Sequence, residues 1–305
     1  MTRPRITTTT LCSAALAIAL VAGCAVPGPD ATRNATPVAA RVQADALAHA
    51  MRQQPIVLLG EVHDNAVQHA LRLEAFDALL ATGTRPALLM EQFDRERQPD
   101  IDRAREGARG NEGAARVIAA AAPSNAGWEW AYYRPFIERA LEHGLPIVAA
   151  NVSRADARGV IAQGLAASGF DAAVPPDVEA GIAASIEASH CGMVDAALAR
   201  RMTAAQAARD QFMARSIERH AARGVVLLTG NGHARRDLGV PRWLSPDLGS
   251  RSVSIGLLEE GDDIPKAAFD HVFVTARQQR ADPCASMPQP APRPTPATTI
   301  AVASC

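Results

Sequence analysis

Four short aliphatic runs, at 55–60, 86–90, 145–150 and 224–229, constrain this chain more than any other feature. A strand with one wet face alternates apolar and polar residues. A run without that alternation is expected of a strand covered on both faces. Weaker runs follow at 252–258 and 271–275. Apolar residues at helical spacing lie between them. Ala66, Ala70, Leu73, Phe76 and Leu80 follow the first run, and Leu198, Met202, Ala205, Ala208 and Phe212 precede the fourth. Strands alternating with helices predict an α/β fold with a mostly parallel central sheet flanked by helices. The stretch between strands three and four holds more helix than one crossover needs, so a helical insertion is expected there. No solenoid period is present.

The residues that follow each run are as informative as the runs. Strand one leads into Gly60-Glu61-Val62-His63-Asp64-Asn65 and strand two into Glu91-Gln92. Strand three ends at Asn151, and strand four leads into Gly230-Asn231-Gly232-His233. In an open parallel sheet the carboxyl ends share one edge, and ligands bind in the crevice outside it. Glu61, His63, Glu91 and His233 are therefore expected to share a cleft. Taken singly, each has a structural explanation: Asp64 or Asn65 can cap the next helix, and Glu91 can pair with an arginine. Taken together, two histidines and a glutamate can hold a divalent metal such as zinc, with a second glutamate as general base in hydrolysis. No Gly-x-Ser-x-Gly elbow and no phosphate loop accompanies them.

The amino terminus predicts export. Arg3 and Arg5 precede an uncharged apolar run at 11–21, which is too short to span a bilayer and suits the core of a secretory signal. Leu20-Val21-Ala22-Gly23-Cys24 resembles the lipobox of bacterial lipoproteins. That resemblance implies a signal peptide over 1–23, acylation (palmitate included) of Cys24 and a membrane lipid anchor. Ala25 after the cysteine favours the outer membrane. Residues 24–40 are rich in Pro, Gly, Ala and Thr and read as a flexible tether. The folded domain is expected over 41–281, with a disordered Pro-rich tail over 282–305. A formal net charge of −1 points away from nucleic acid as a partner.

Gly60-x-x-His63 and Gly230-x-x-His233, with Glu91 between them, resemble the paired motifs of the Tiki/TraB/erythromycin-esterase superfamily. The strings around Leu58-Leu59-Gly60-Glu61, Glu91-Gln92-Phe93, His190-Cys191-Gly192-Met193, Gln206-Ala207-Ala208-Arg209-Asp210 and Gly239-Val240-Pro241 are similar to its ChaN-like branch. The similarity covers roughly 50–260 and implies a haem-binding lipoprotein of iron uptake. In such a protein a tyrosine ligates ferric haem and a partner subunit, as in a homodimer, helps enclose it. An outer-membrane haem uptake system is the implied partner. The superfamily's hydrolases supply the alternative, a Tiki-like peptidase or esterase using the Glu61, His63, Glu91 and His233 cleft.

The chain's two tyrosines are adjacent, Tyr132 and Tyr133. Pro135 suits a first helical turn, which would set Tyr133 just before a helix. The Tyr-x-Pro pattern of the family selects Tyr133 as iron ligand, with Tyr132 as its neighbour. On residues alone, both tyrosines and the neighbouring tryptophans read as packing of the helix against the sheet. His190 is a candidate second haem contact, and Asn151 is grouped with the cofactor-binding residues. Arg209 suits either a haem propionate or Glu61. Cys191 reads as a buried thiol, and Cys284 with Cys305 is one pairing open to the tail, though spacing cannot establish it.

Overall fold

The computed structural model describes residues 37–122, 127–171, 173–191, 193–282, 284 and 285. The expected signal peptide, Cys24, most of the tether and the end of the tail lie outside the described residues. The first helix, α1 (Pro37–Met51), begins within the expected tether. It is followed by β1 (Ile56–Leu59), α2 (Ala66–Ala81) and β2 (Ala87–Asp94). Three helices, α3 (Gln98–Arg105), α4 (Gly110–Ala121) and α5 (Trp130–Glu142), lead to β3 (Ile147–Asn151). The insertion before the fourth strand comprises α6 (Arg154–Gln163), α7 (Pro176–Ser189) and the long α8 (Ala196–His220). The chain closes with β4 (Val225–Leu228), α9 (Asn231–Ala234), α10 (Pro246–Ser250), β5 (Ser252–Glu259) and β6 (His271–Thr275).

All six strands run parallel, in the order β3-β2-β4-β1-β5-β6. Every residue of β1, β4 and β5 is buried, as the unbroken apolar runs require. Successive side chains of a strand point to opposite faces. Val57, Leu59, Leu88 and Met90 accordingly join Phe76 of α2 and Phe136 of α5 on one face. Ile56, Leu58, Leu89 and Leu227 meet Met213 and Ile217 of α8 on the other. Each such side chain contributes about 1.5–3 kcal/mol by leaving water.

The registers set the site. Leu59 lies beside Leu228, and Leu228 beside Met90. The residues that follow, Gly60, Thr229 and Glu91, therefore stand abreast at the carboxyl edge.

Two helical expectations need correction. In α2 the buried face carries Gln68, His69, Arg72, Phe76 and Leu79, while Ala66 and Ala70 are exposed. The helix turns a polar strip toward the β1 end, where it has charge to meet. In α5 the helix starts at Trp130, not at Pro135, so both tyrosines lie inside it. The Glu129 side chain caps it by accepting from the Ala131 amide. Trp130, Tyr133, Phe136, Ile137 and Ala140 form a buried stripe at three-four spacing. Their burial outweighs an interior proline, which costs about 3 kcal/mol.

Candidate functional site at the strand ends

Gly60 carries the chain out of β1 where only glycine fits. A side-chain carbon there would lie 2.4 Å from Asn231 Oδ1 and 3.0 Å from the Ile255 carbonyl. Glu61 follows and is 2 % exposed. Its Oε1 accepts from the Tyr133 hydroxyl at 2.6 Å and lies 2.9 Å from His63 Nδ1. Its Oε2 forms an ion pair with the fully buried Arg72. Arg72 also donates to the Leu59 carbonyl at 3.3 Å and lies over the Phe136 ring. Burial pulls its guanidinium down to about 10, still charged at neutral pH.

His69 stands 3.4 Å from Glu61 Oε2 and gives its Nε2 proton to the His63 carbonyl at 2.9 Å. Burial lowers its imidazole to about 4, so it stays neutral at physiological pH. The Tyr132 ring stacks on it with centroids 4.4 Å apart.

A second cluster adjoins the first. Glu91 Oε2 accepts from the Gly230 amide at 2.8 Å and from the Thr229 hydroxyl at 2.7 Å. His233 lies between carboxylates, its Nε2 3.5 Å from Glu91 and its Nδ1 2.5 Å from Asp210. Burial alone would lower the His233 imidazole, but the two carboxylates outweigh it and push the group up to about 10. Burial alone would raise the Glu91 carboxyl, yet the charge and hydrogen bonds of His233 hold it well below the ordinary range. Asp210 is raised by its own burial. The ring thus has an acid on each side, which favours its charged form.

The clusters meet at Gly230. A side-chain carbon there would sit 2.8 Å from His63 Cε1 and 3.0 Å from its Nε2, so glycine leaves room for the imidazole. Of the three site histidines His63 alone faces solvent, its side chain 47 % exposed against 3 % for His69 and 8 % for His233. The Trp128 ring stands edge-on to it at 4.8 Å.

Glu61, His63, Glu91 and His233 thus lie at one sheet edge, but they do not form the expected metal-ligand set. Among the described residues no group of three His, Cys, Asp or Glu is placed to hold an ion. The physical reason is that the donors are committed. Glu61 is taken by Arg72 and Tyr133, Glu91 by the Gly230 amide and Thr229, and both ring nitrogens of His233 face carboxylates.

Tyr133 is fully buried with its hydroxyl given to Glu61. Burial, and then the Glu91 charge, hold its phenol above the ordinary range against the pull of Arg72. Tyr132 is half-buried. The expected pairing of Arg209 with Glu61 is replaced by that of Arg72. The Arg209 charge acts on Asp94 and Asp210 instead. Asn151 accepts from the Val152 amide at the end of β3. His190 caps α7 with its Nδ1 2.8 Å from the Ile186 carbonyl. Cys191 is not a free thiol: it is joined to Cys284, so Cys284 is not available to Cys305, which lies outside the described residues.

Sequence reasoning missed His69, Arg72 and Asp210. Gln68 and Arg72 lie two turns and one turn before Phe76, so polar residues on a buried face were the available signal. Asp210 stands beside Arg209 in a string already singled out.

A family model described as haem-binding uptake, Tiki superfamily, ChaN matches residues 47–244. The chain belongs to this family. A solved structure of ChaN from Campylobacter jejuni, described with cofacial haem binding, is similar in fold. Its TM-score is 0.61 at 20 % identity, covering 75 % of this chain and 89 % of that one. An erythromycin esterase variant in its open conformation matches at a TM-score of 0.42 and 14 % identity, over 71 % of this chain and 73 % of the other. No curated protein sequence matches the chain.

Proposed function

We propose that this ChaN-family chain binds haem at the strand-end face, with His63 Nε2 as the group that meets the iron. One observation carries the assignment. His63 is half-exposed while its Nδ1 is tied to the buried Glu61, which fixes the tautomer and leaves Nε2, beside the open Cα of Gly230, as its second ring nitrogen. A carboxylate behind a ligating imidazole orients the ring and raises its basicity. Haem supplies an iron centre in a flat apolar macrocycle. The half-buried Trp128 and Tyr132 offer aromatic surface near the donor. The tyrosine ligand that the family resemblance implies meets a cost here, since Tyr133 would have to leave Glu61 and lose its proton.

Titrating the full chain with ferric haem tests the proposal. The expected result is saturable binding that weakens at least about tenfold in His63→Ala, the loss of one strong contact. Binding of equal strength in that variant contradicts it. Loss confined to Tyr133→Phe or Tyr132→Phe returns the iron to a tyrosine.

Anchoring at Cys24 in the outer membrane, receipt of haem from an uptake system there and pairing with a second subunit belong to the same proposal. The Cys191–Cys284 disulfide supports export, because such bonds persist in oxidising compartments. Cys24→Ala should leave the protein unprocessed or released on cell fractionation. Normal processing with unchanged membrane attachment contradicts the anchor.

The same Glu61–His63 pair favours a second reading, a general base acting on water without a metal. Turnover of ester or peptide substrates that vanishes in His63→Ala would support it.

A further inference from the structure

The face that holds His63 and His233 has a frame on two sides, and the frame is closed by a disulfide. Helix α8 has 25 residues while β4 has 4, and the helix leads directly to the start of that strand. It therefore runs antiparallel to β4 and overshoots the carboxyl edge. Asp210 marks the level of the edge, because it holds His233. The helix begins at Ala196, about 21 Å farther out at 1.5 Å per residue. With α7 packed against it, this part of the insertion is an arm that rises beyond the sheet, with Cys191 in the connection at its tip.

The chain after β6 supplies the other side. Thr275 ends β6 at the carboxyl edge, level with Glu259. The Gln278 amide then donates to Glu259 Oε1 at 3.2 Å, and its side-chain Oε1 accepts from the Ala66 amide at 3.3 Å. Arg280 grips Asp64 through two nitrogens, each at 2.6 Å, and also reaches both oxygens of Glu259. Asp64 is the residue next to His63. From Arg280 the chain has four more residues, a span of at most about 14 Å, before Cys284 meets Cys191. Residues 276–282 and 284 thus belong to a strap that leads from the β6 side past Asp64 to the tip of the arm.

We infer that the Cys191–Cys284 disulfide is a redox latch on access to the strand-end face. Oxidised, it ties the strap, anchored at Asp64, to the arm. Opened, it leaves the strap held at Arg280 and Gln278 alone and frees the arm tip. The opening step is thiol–disulfide exchange with a dithiol reductant. One thiolate of the dithiol attacks a sulfur of the bond, and the other cysteine leaves as a thiolate and takes up a proton. The second thiol of the reductant then resolves the mixed disulfide. The protein gains two electrons and two protons, and the dithiol is oxidised to its own disulfide. Both cysteines are half-buried and lie outside regular secondary structure, which suits such exchange.

The test needs no haem, so it stands whether or not the haem assignment does. Hydrogen exchange is followed in the oxidised full chain, in the chain treated with a dithiol, and in Cys284→Ser. Acylation of His63 by diethyl pyrocarbonate is measured alongside, with exposed His49 on α1 as reference. Reduction should lower protection of 276–282 and 193–195 about tenfold, as expected of a segment released to local opening. His63 acylation should rise at least about twofold relative to His49, the scale of change expected when a neighbouring segment becomes mobile. Cys284→Ser should reproduce both effects without reductant and respond no further to it. Unchanged protection after reduction overturns the latch. A loosened strap with an unchanged His63 rate overturns its control of the face. An untreated chain in which Cys191 and Cys284 both take up an alkylating reagent removes its premise.

Discussion

At the scale of the residue, the molecule is organised around one buried carboxylate. Glu61 is satisfied by Arg72, Tyr133 and His63 together, and the half-exposed imidazole inherits its orientation from that set. Removing the cation should expose the cost of the arrangement. In Arg72→Met a carboxylate is left buried without its counter-charge, and urea unfolding should show a loss of about 3–5 kcal/mol. Adding Glu61→Gln should restore a large part of it, since the unpaired charge goes too. A single variant as stable as the parent would show that Glu61 does not depend on Arg72. The neighbouring cluster makes a prediction about pH. The His233 imidazole, ordinarily near 6.5, is raised to about 10, so its ion pairs contribute stability fully below 6.5 and lose it as pH rises through about 10. Nitrogen NMR at about pH 8 should find both ring nitrogens of His233 protonated, where an unperturbed histidine is neutral. A neutral ring at that pH would contradict the two-carboxylate clamp.

At the scale of the element, α5 shows competing local and tertiary preferences. Pro135 is the sixth residue of the helix, where it removes a backbone hydrogen bond. If the buried stripe of Trp130, Tyr133 and Phe136 sustains the helix, Pro135→Ala should raise stability by about 1–3 kcal/mol in thermal unfolding. No gain would mean that the ring itself contributes to packing. The same competition explains what could be read from the chain. The strands were legible because β1, β4 and β5 are wholly buried, and full burial leaves an unbroken apolar run. The start of α5 was not, because proline is a strong local signal and the side chains that override it act only after packing. The α2 stripe was misplaced for a related reason. Ala66 and Ala70 are apolar yet exposed, while Gln68 and Arg72 are polar yet buried, Arg72 against the charge on Glu61 and Gln68 against the Val62 amide and the Thr275 hydroxyl.

At the scale of the whole molecule, strand register brings Glu61, His63, Glu91 and His233 to one edge from positions far apart in the chain. Placement at that edge could be read from the position of each residue after an apolar run. The division of labour could not. Which histidine is clamped and which is open depends on Asp210, which α8 delivers from the helical insertion. The long-range Cys191–Cys284 bond was hidden for the same reason, since it joins the insertion to the strap. The central claim is that the open histidine is the one that receives the iron. The most direct test is the iron ligand itself, read by nitrogen hyperfine coupling and optical spectrum in the ferric haem complex of histidine-labelled protein. The account predicts coupling to a protein imidazole in the parent and in Tyr133→Phe, and its loss in His63→Ala. A tyrosinate spectrum that persists in His63→Ala and disappears in Tyr133→Phe would contradict it.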